Sequence, residues 1–187
     1  MSIDGFVSDS NGDAKWVFQT GDEQSKAWSL AQTKEAGLII IGRKSFEVMA
    51  PYWPTSTDVF AATMNEIPKA VFTQKGFKGL DPGNNQSPAA ASWINAKICS
   101  GDLNWEITKL KAEQGKPITA IGGASFMRSL IATGLVDEFH LAIHPVILGS
   151  GMPIFNGNSK PQYLKLLDVK VFPAGTTVHI YNSQTSS

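Results

Sequence analysis

A short β-rich run that ends in glycine and leads directly into an amphipathic helix occurs twice in this chain. The first copy is LIII at 38–41, then Gly42, then the helical pattern RKSFEVMAPYW. The second copy is PITAIGG, which ends in Gly122 and Gly123, followed by ASFMRSLIATG. Strands that alternate with helices pack as parallel sheets, so this repeat restricts the chain to the α/β class.

The remaining segments up to residue 136 extend the same alternation of strands and helices. Each is recognised by its composition, its hydrophobic period or its capping residues. The elements predicted are a helix over 22–36 ended by Gly37, a strand over 69–74, a strand in INAKICS, a helix in DLNWEITKLKAEQG between the caps Asp102 and Gly115, and a surface loop over 79–92.

The sequence pattern changes from Asp137 onward. EFHLAIHPVIL alternates, and YLKLLDVKVFPAGTTVHIYNS predicts a hairpin that turns at Pro173, Ala174 and Gly175. Strands and helices followed by strands alone predict a three-layer α/β/α domain with a mixed sheet, mostly parallel, to which the C-terminal strands add in antiparallel orientation. We expect residues 1–187 to form one domain, because this length suits a single core.

The amino-acid composition restricts the classes of molecule that this protein is expected to bind. Sixteen basic residues balance 16 acidic ones without clustering, which argues against a nucleic acid or an anionic membrane and favours a small molecule. The single cysteine, Cys99, cannot form an intramolecular disulfide or a cysteine-based zinc site. No apolar run approaches the ~20 residues that span a bilayer, and the N-terminus lacks the pattern of a secretion signal. We therefore expect a cytoplasmic protein.

The histidines do not predict a metal site. His140 and His144 point to one face of a strand, but at ~3.3 Å per residue they stand ~13 Å apart and cannot share an ion. We expect them to be partners of surface or interface groups.

The two glycine turns predict where a ligand would bind. In open α/β sheets the ligand crevice lies at the carboxyl ends of the strands, where helix N-termini direct free N–H groups. Gly42 and the pair Gly122 and Gly123 occupy such positions, so we hypothesise that a phosphate rests against them. Tight strand-to-helix turns use glycine for backbone reasons as well, and the sequence leaves this structural explanation open.

Residues beside the turns indicate which dinucleotide would bind. The sequence has no P-loop and no Rossmann fingerprint. Arg43 and Lys44 are cations suited to an extra phosphate, and Ser45 and Ser125 can add hydroxyl groups. If the ligand is a dinucleotide, NADPH is therefore preferred to NADH.

Four ordered motifs, MSIDGF, IIIGRKSFE, IGGASFMRSLIATGLVDE and PVILGSGMPIF, resemble the dihydrofolate reductase-like family that includes the C-terminal reductase domain of the bifunctional riboflavin biosynthesis protein. The resemblance covers nearly the whole chain and is weakest from 76 to 96. It implies a dihydrofolate reductase fold, NADPH as hydride donor, a pteridine-like or ribosylaminopyrimidine substrate, and often a homodimer.

The resemblance also assigns candidate residues to each part of the site. Asp4 is the catalytic candidate and borders the nicotinamide and the substrate together with Gly5. Thr73 and Lys75 would flank the adenosine end of the cofactor. The phosphates would be held from one side by Gly42, Arg43, Lys44 and Ser45, and from the other side by Gly122, Gly123, Ala124 and Ser125.

Two features depart from the family pattern. Family members usually carry a complete strand before the S-x-D-G motif, whereas here Ile3 is almost the first residue, so we expect the first strand to be truncated or to lie upstream. The motifs of the accompanying zinc deaminase, H-x-E and P-C-x-x-C, are absent, which leaves only a reductase.

The substrate candidates each have a structural alternative. Asp4 can hydrogen-bond an aminopyrimidine, yet Asp-Gly is also a common turn. Asp22 and Glu23 follow Trp16 at about the spacing of a pteridine-binding acid, yet charge at a helix N-terminus is the favoured explanation. Trp16, Phe46 and Trp53 are candidates for the pocket wall, although aromatic residues at helical spacing are usually core.

Three functions remain open after these considerations. The first is an NADPH-dependent reductase of a pteridine-like or pyrimidine-type nitrogen heterocycle. The second is the 5-amino-6-(5-phosphoribosylamino)uracil reductase of riboflavin biosynthesis. The third is a protein that binds NADPH and has lost the chemistry.

Overall fold

The structure is a computed structural model that describes residues 1–80, 87–155 and 161–184. The chain divides into two compact units, one that combines Met1–Trp28 with Arg128–Ser187 and one formed by Ser29–Met127. That residues 1–187 act as a single domain stays a prediction.

Strands and helices alternate through the first two thirds of the chain, as the sequence predicted. The strands are β1 (Phe6–Ser8), β2 (Leu38–Gly42), β3 (Lys69–Phe72), β4 (Lys97–Cys99), β5 (Ile118–Ala120), β6 (Glu138–Ile143), β7 (Met152–Pro153), β8 (Leu164–Val171) and β9 (Thr177–Ser183). The α-helices are α1 (Trp16–Gln19), α2 (Glu23–Lys34), α3 (Arg43–Tyr52), α4 (Ala61–Glu66), α5 (Ala91–Ile94), α6 (Leu103–Ala112) and α7 (Ala124–Ala132), with 3-10 turns at Trp53–Thr55 and Pro88–Ala90.

The unit Ser29–Met127 contains a parallel sheet of strand order β4-β3-β2-β5. β2 pairs in parallel with β3 on one side, Gly42 opposite Phe72, and with β5 on the other, Ile40 opposite Ala120. The chain adds strands outward from β2 in one direction and then returns to the other side of β2. The sheet therefore has a topological switch point between β2 and β5.

The core of this unit forms where the sheet is covered on both faces. Ile39 and Ile41 of β2 have no exposed surface, and Phe46 and Trp93 pack against them. A continuous apolar strand such as β2 is what a parallel sheet buried on both faces requires. Each such side chain contributes roughly 1.5 to 3 kcal/mol by leaving water.

The unit that contains the C-terminal residues holds the antiparallel strands. They form a sheet of order β6-β9-β8, and β1 pairs with β7 in antiparallel orientation. The predicted hairpin turn is confirmed, since Gly175 donates its N–H to Phe172 (2.9 Å) and adopts a φ of 89°. Ser2 forms a parallel bridge with His144, and Ile3 donates to Val146 (2.9 Å), so the residues before the Asp-Gly turn run parallel to the end of β6.

Three boundary predictions need correction. The predicted loop over 79–92 contains the 3-10 turn Pro88–Ala90 and the start of α5. Trp93, which follows within α5, is only 1% exposed. Residues 81–86 of this loop lie outside the described residues. Burial of Trp93 outweighs the loop-like composition that precedes it. Asp102 caps α6 as predicted, but the helix ends with Glu113 at its C-cap and not with Gly115. The strand in INAKICS is limited to Lys97–Cys99.

Candidate functional site

The cofactor candidates lie at the carboxyl edge of the parallel sheet. Gly42 ends β2, Gly122 and Gly123 follow β5, and Thr73 follows β3. Because β3, β2 and β5 are neighbours, three of the predicted segments share one edge of one sheet. The two glycine turns flank the switch point, which is where open α/β sheets bind ligands.

The two glycine turns contact each other. Gly42 donates its N–H to the carbonyl of Gly122 at 3.4 Å. A Cβ on Gly42 would lie only 2.7 Å from Cβ of Phe126, and the Phe126 ring stacks on Phe72 at 5.0 Å between centroids. Gly42 is therefore required for the close approach of the first turn of α7.

The second turn is equally crowded. A Cβ on Gly123 would lie 2.7 Å from Oγ of Ser45, and Gly122 has a φ of 53°, a region that favours glycine. The space that the sequence analysis assigned to a phosphate is thus taken at Gly42 by Phe126 and at Gly123 by Ser45. What these turns offer an anion is the set of backbone N–H groups in the first turns of α3 and α7, which have no acceptor within their own helix.

Cations surround this edge at the surface. Arg43 forms an ion pair with Glu47 at 3.0 Å, one helical turn along α3, and both side chains are partly exposed. Such surface pairs contribute ~0.3 to 0.5 kcal/mol, so a phosphate can compete for Arg43. Lys44 and Lys75 are exposed, and Thr73 closes a local turn in which its hydroxyl donates to the carbonyl of Lys75 (2.6 Å).

Asp4 lies in the other unit and holds a loop. Its two carboxylate oxygens accept the backbone N–H groups of Leu148 (3.2 Å) and Gly149 (2.7 Å). Hydrogen bonds from the Ser2 side chain and from these two amides keep the pKa of Asp4 below its usual value. Gly5 has a φ of 88° and donates to the carbonyl of Ser2 (3.1 Å), so Asp4 and Gly5 form the turn that was the structural alternative.

Trp16 packs against a buried histidine that the sequence analysis treated only as a metal or surface candidate. The Trp16 and His144 rings meet edge to face at 5.6 Å, and Nδ1 of His144 lies 2.9 Å from the hydroxyl of Thr20 and 3.4 Å from that of Thr176. Burial, and next the charge of the amino terminus, lowers the pKa of His144 to about 4. Nε1 of Trp16 is buried without a hydrogen-bond partner among the described residues.

Phe46 and Trp53 lie in the unit of the parallel sheet and differ from each other. Phe46 is 0% exposed, with its ring 5.6 Å from Trp93 and 5.9 Å from Phe77, so it is a core residue and does not present a surface to a substrate. Trp53 is half-buried against the same core, and its Nε1 has no hydrogen-bond partner within the described ranges.

Two other candidates have structural partners. Asp22 caps α2, where its carboxylate accepts from Ser25 (2.8 Å) and from Ala174 (2.7 Å) and these bonds lower its pKa. The position of Asp22 at the N-terminus of α2 therefore agrees with the structural explanation that the sequence analysis gave as the alternative to substrate binding. His140 lies 2.5 Å from Glu138 at the surface of β6.

Lys69 is a buried cation that sequence reasoning missed. It begins β3, is 2% exposed, and its ammonium donates to the carbonyls of Met64 and Ile67 and to Ser92 (2.7 Å). The ammonium also lies 4.3 Å from the centre of the Trp93 ring, and burial lowers its pKa to about 7. This network caps the C-terminus of α4 at the opposite end of β3 from the glycine turns, and it lines a surface cavity of about 640 Å³.

Within the described ranges, no helix is long and apolar enough to cross a membrane. The same residues contain no group of three or more His, Cys, Asp or Glu side chains placed to hold a metal ion.

A parallel sheet with glycine turns at its switch point, together with antiparallel C-terminal strands, defines an α/β domain of the dihydrofolate reductase-like class. The chain belongs to the RibD C-terminal domain family, whose sequence model matches residues 1–180. This confirms the resemblance and supports a reductase of the RibD type.

Individual relatives agree with this family. The uncharacterized protein YyaP of Bacillus subtilis (strain 168) is 32% identical over 182 residues, which cover 97% of this chain and 90% of YyaP. Two solved structures share the fold. A pyrimidine reductase-like protein from Corynebacterium diphtheriae has a TM-score of 0.68 at 18% identity. The match covers 100% of this chain and 90% of that protein. The diaminohydroxyphosphoribosylaminopyrimidine deaminase/5-amino-6-(5-phosphoribosylamino)uracil reductase of Thermotoga maritima has a TM-score of 0.65 at 15% identity, with 98% of this chain covering 54% of that one.

These similarities confirm the predicted fold class. The single mixed sheet is not found among the described residues, where the C-terminal antiparallel strands form a sheet separate from the parallel one. The cofactor, the residue roles, the second copy of the chain and the cytoplasmic location stay predictions.

Proposed function

We propose that the protein is an NADPH-dependent reductase of a pteridine-like or pyrimidine-type nitrogen heterocycle. Membership of the RibD C-terminal domain family supports the reductase class. The observation that carries the cofactor proposal is the pair of adjacent glycine turns at the switch point of the parallel sheet, from which α3 and α7 begin.

The residues at this edge fit an anionic dinucleotide. The first turns of α3 and α7 direct backbone N–H groups to one edge, and helix dipoles favour negative charge there by roughly 0.3 to 1 kcal/mol each. Arg43 and Lys44 would bind the 2′-phosphate, and Ser45 would donate to the pyrophosphate on the α3 side. Gly122, Gly123, Ala124 and Ser125 would form the α7 side of the same phosphate site. Thr73 and Lys75 would border the adenosine.

NADPH, when bound, would supply the hydride, and the protein would orient the acceptor and exclude water. Asp4 is the candidate for the substrate side, because a carboxylate can bind the amino groups of a pyrimidine. Its two hydrogen bonds to the Leu148–Gly149 amides fix its position and keep it ionised. In that state Asp4 would orient the substrate and would not itself deliver a proton. Gly5 and the ring of Trp16, which lie in the same unit as Asp4, complete the proposed substrate contacts of that unit.

A second candidate function is the reduction of 5-amino-6-(5-phosphoribosylamino)uracil. The similarity to the Thermotoga maritima reductase favours it. The third candidate, binding of NADPH without chemistry, is consistent with the same glycine turns. These candidates differ in which substrate causes NADPH to be consumed.

An assay of NADPH absorbance distinguishes the candidates. It is run once with dihydrofolate and once with 5-amino-6-(5-phosphoribosylamino)uracil as the substrate. Consumption with one substrate assigns it, and tight NADPH binding without turnover on either supports the binding protein. Failure to bind NADPH at all contradicts the proposal.

The phosphate contact has its own test. Arg43→Ala should weaken NADPH by roughly 10-fold to 100-fold, since a charge-assisted hydrogen bond contributes ~1.5 to 3 kcal/mol, and should leave NADH nearly unchanged. Lys97→Ala is the matched control, because Lys97 forms a similar exposed pair with Glu113 (3.1 Å) but begins its strand at the opposite edge of the sheet. Equal losses for NADPH and NADH would remove Arg43 from the 2′-phosphate site.

A further inference from the structure

Lys69 is a buried cation without a carboxylate partner. Its side chain is 2% exposed, and it takes part in none of the ion pairs among the described residues. Taking a charge out of water is costly unless other groups compensate for the lost hydration. The proposed cofactor and substrate contacts do not use Lys69, which lies at the opposite end of β3 from the glycine turns. Its charge is therefore compensated by neutral groups in its own surroundings.

Three neutral acceptors take up the protons of the Lys69 ammonium. Two are the backbone carbonyls of Met64 and Ile67 at the C-terminus of α4, and the third is the hydroxyl of Ser92 in α5 (2.7 Å). The ammonium also lies 4.3 Å from the centre of the Trp93 ring, which attracts a cation to its face. Because an ammonium group has three N–H donors, each donor has its own acceptor.

Ser92 makes a second hydrogen bond that depends on this arrangement. Since its oxygen accepts from Lys69, its own proton is free to donate to the backbone carbonyl of Asn65 in α4 (2.5 Å). The side chain of Asn65 accepts from Nε1 of Trp93 (2.8 Å) and donates to the carbonyl of Trp53 (3.0 Å). The ammonium thus stands at the end of a chain of hydrogen bonds that joins α4, α5 and the 3-10 turn that begins at Trp53.

We propose that Lys69 is a proton-dependent clamp between α4 and α5. A neutral amine has only two N–H donors and a lone pair, so it cannot supply all three acceptors. Ser92 then either turns its proton to the amine and leaves the carbonyl of Asn65 without a donor, or keeps that bond and faces the lone pair of the amine. Either outcome removes one hydrogen bond between the two helices, and the contact with the Trp93 ring loses its charge. Deprotonation therefore loosens α5 from α4.

The surroundings of Lys69 place this change near neutral pH. Burial lowers the pKa of Lys69 to about 7. The elements packed against it add one charge, that of Glu66 in α4, which is exposed; β2, the 3-10 turn Pro88–Ala90 and α5 contain no charged residue. In the neighbouring strand β4, Lys97 is paired with Glu113 (3.1 Å). Lys69 and Glu66 both line the surface cavity of about 640 Å³, through which water reaches the edge of the network.

The release of the clamp is local and is not unfolding. The pKa of Lys69 is about 7 in the folded chain and 10.5 as its ordinary value, so between these values the unfolded chain binds more protons and stability rises with pH. Chemical denaturation should therefore show a larger rise in stability above pH 7 for wild type than for Lys69→Met. A clamp that opened by unfolding would give the opposite sign.

An NMR titration of the Trp93 indole N–H in the full chain, between about pH 5.5 and 9, tests the proposal directly. Sequential assignment identifies its signal among those of the five tryptophans. Wild type should show one transition with a midpoint near pH 7, because the charge that lies over this ring disappears. Lys69→Met should abolish the transition, since methionine has a similar length and does not titrate. Lys97→Met, on the neighbouring strand, is the matched control and should leave the midpoint unchanged.

Ser92→Ala is a second variant that keeps the lysine in place if Lys69→Met fails to fold. Removing the third acceptor leaves one N–H of the ammonium unpaired, whereas a neutral amine still bonds to both carbonyls of α4. The midpoint should therefore fall by roughly 1 to 2 pH units, which is the equivalent of one hydrogen bond to a charged group.

Three results would overturn the proposal. The first is a wild-type Trp93 signal without a transition in this range, because Lys69 would then keep one protonation state. The second is a transition that persists in Lys69→Met or that Ser92→Ala leaves at the same pH. The third is a transition that Lys97→Met removes, which assigns the titration elsewhere. None of these measurements uses NADPH or a substrate, so the proposed function is tested separately.

Discussion

The four motifs that carry the family resemblance contact each other in two pairs, and the two pairs are held together differently. In Ser29–Met127, IIIGRKSFE meets IGGASFM, the first part of the third motif, where Gly42 lies against Phe126 and Gly123 against Ser45. In the other unit, MSIDGF meets PVILGSGMPIF where Asp4 accepts hydrogen bonds from the 148–149 amides. The first pair depends on missing side chains, and the second on polar groups.

Because of this difference, we expect the two pairs to respond differently to added side-chain volume and to pH. A contact made by close packing is broken by one added methyl group and does not depend on pH. A contact made by polar and ionisable groups tolerates added volume but changes with protonation. The following experiments, ordered from the largest expected effect to the smallest, test whether the two motif pairs separate in this way.

Acidification below pH 6.5 should destabilise the unit that holds the polar pair, through His144, which directly precedes PVILGSGMPIF. Its pKa is about 4 in the folded chain and 6.5 as a model value, so between these values the unfolded chain binds more protons and stability falls as pH decreases from 6.5 to 4. At ~1.4 kcal/mol per pKa unit the loss is on the order of 3 kcal/mol. Chemical denaturation at several pH values measures it. His144→Asn should flatten this part of the curve, and an unchanged slope in that variant would assign the pH dependence to another group.

Among substitutions that add one methyl group to the packed pair, Gly42→Ala should cause the largest loss of folding stability. The new Cβ would approach Cβ of Phe126 to 2.7 Å, and both atoms are fixed to backbone, so we expect a loss of roughly 1 to 3 kcal/mol. Gly115→Ala is the control, since nothing lies within 4 Å of its Cβ position. Urea denaturation of both variants gives the comparison. Equal stability of the two would mean that Gly42 is not retained for packing.

The secondary structure was predictable where it follows local patterns. The strand-glycine-helix repeat placed β2, α3, β5 and α7, and the C-terminal alternation placed the hairpin of β8 and β9. α1 and α4, of four and six residues, were missed because so few residues show no helical period.

The neighbours of the candidate site residues were not predictable. Phe126 fills the space beside Gly42, and the sequence shows only that Gly42 lacks a side chain. Asp4 and Gly149 are 145 positions apart, so nothing local in MSIDGF reveals that the carboxylate is already hydrogen-bonded. A glycine turn or an Asp-Gly pair has the same sequence whether a ligand or a distant residue lies against it.

Ser45 allows the packing and ligand roles of the second turn to be separated. In Gly123→Ala the new Cβ would lie 2.7 Å from Oγ of Ser45 but 3.8 Å from its Cβ, so Ser45→Ala should relieve the clash. We expect a smaller loss than for Gly42→Ala, because a hydroxyl can rotate, and a coupling of at least ~0.5 kcal/mol in the double-mutant cycle. Additive stability changes would contradict this contact. If Ser45→Ala also weakens NADPH in the stable double variant, the hydroxyl binds the cofactor as well.

Asp4→Asn should give the smallest change in stability, because Asp4 is exposed. The asparagine keeps one oxygen for the amide of Leu148 or Gly149 but places an NH₂ group opposite the other donor, so the 148–149 amides should exchange with solvent faster. Hydrogen exchange measures this, and unchanged protection would contradict the anchoring role. Comparison with turnover then separates two functions of Asp4. Asn11→Asp is the control and should have no effect. If Asp4→Asn binds NADPH normally but loses turnover, Asp4 contacts the substrate. If turnover persists while the amides exchange faster, the role of Asp4 is limited to joining the two motifs.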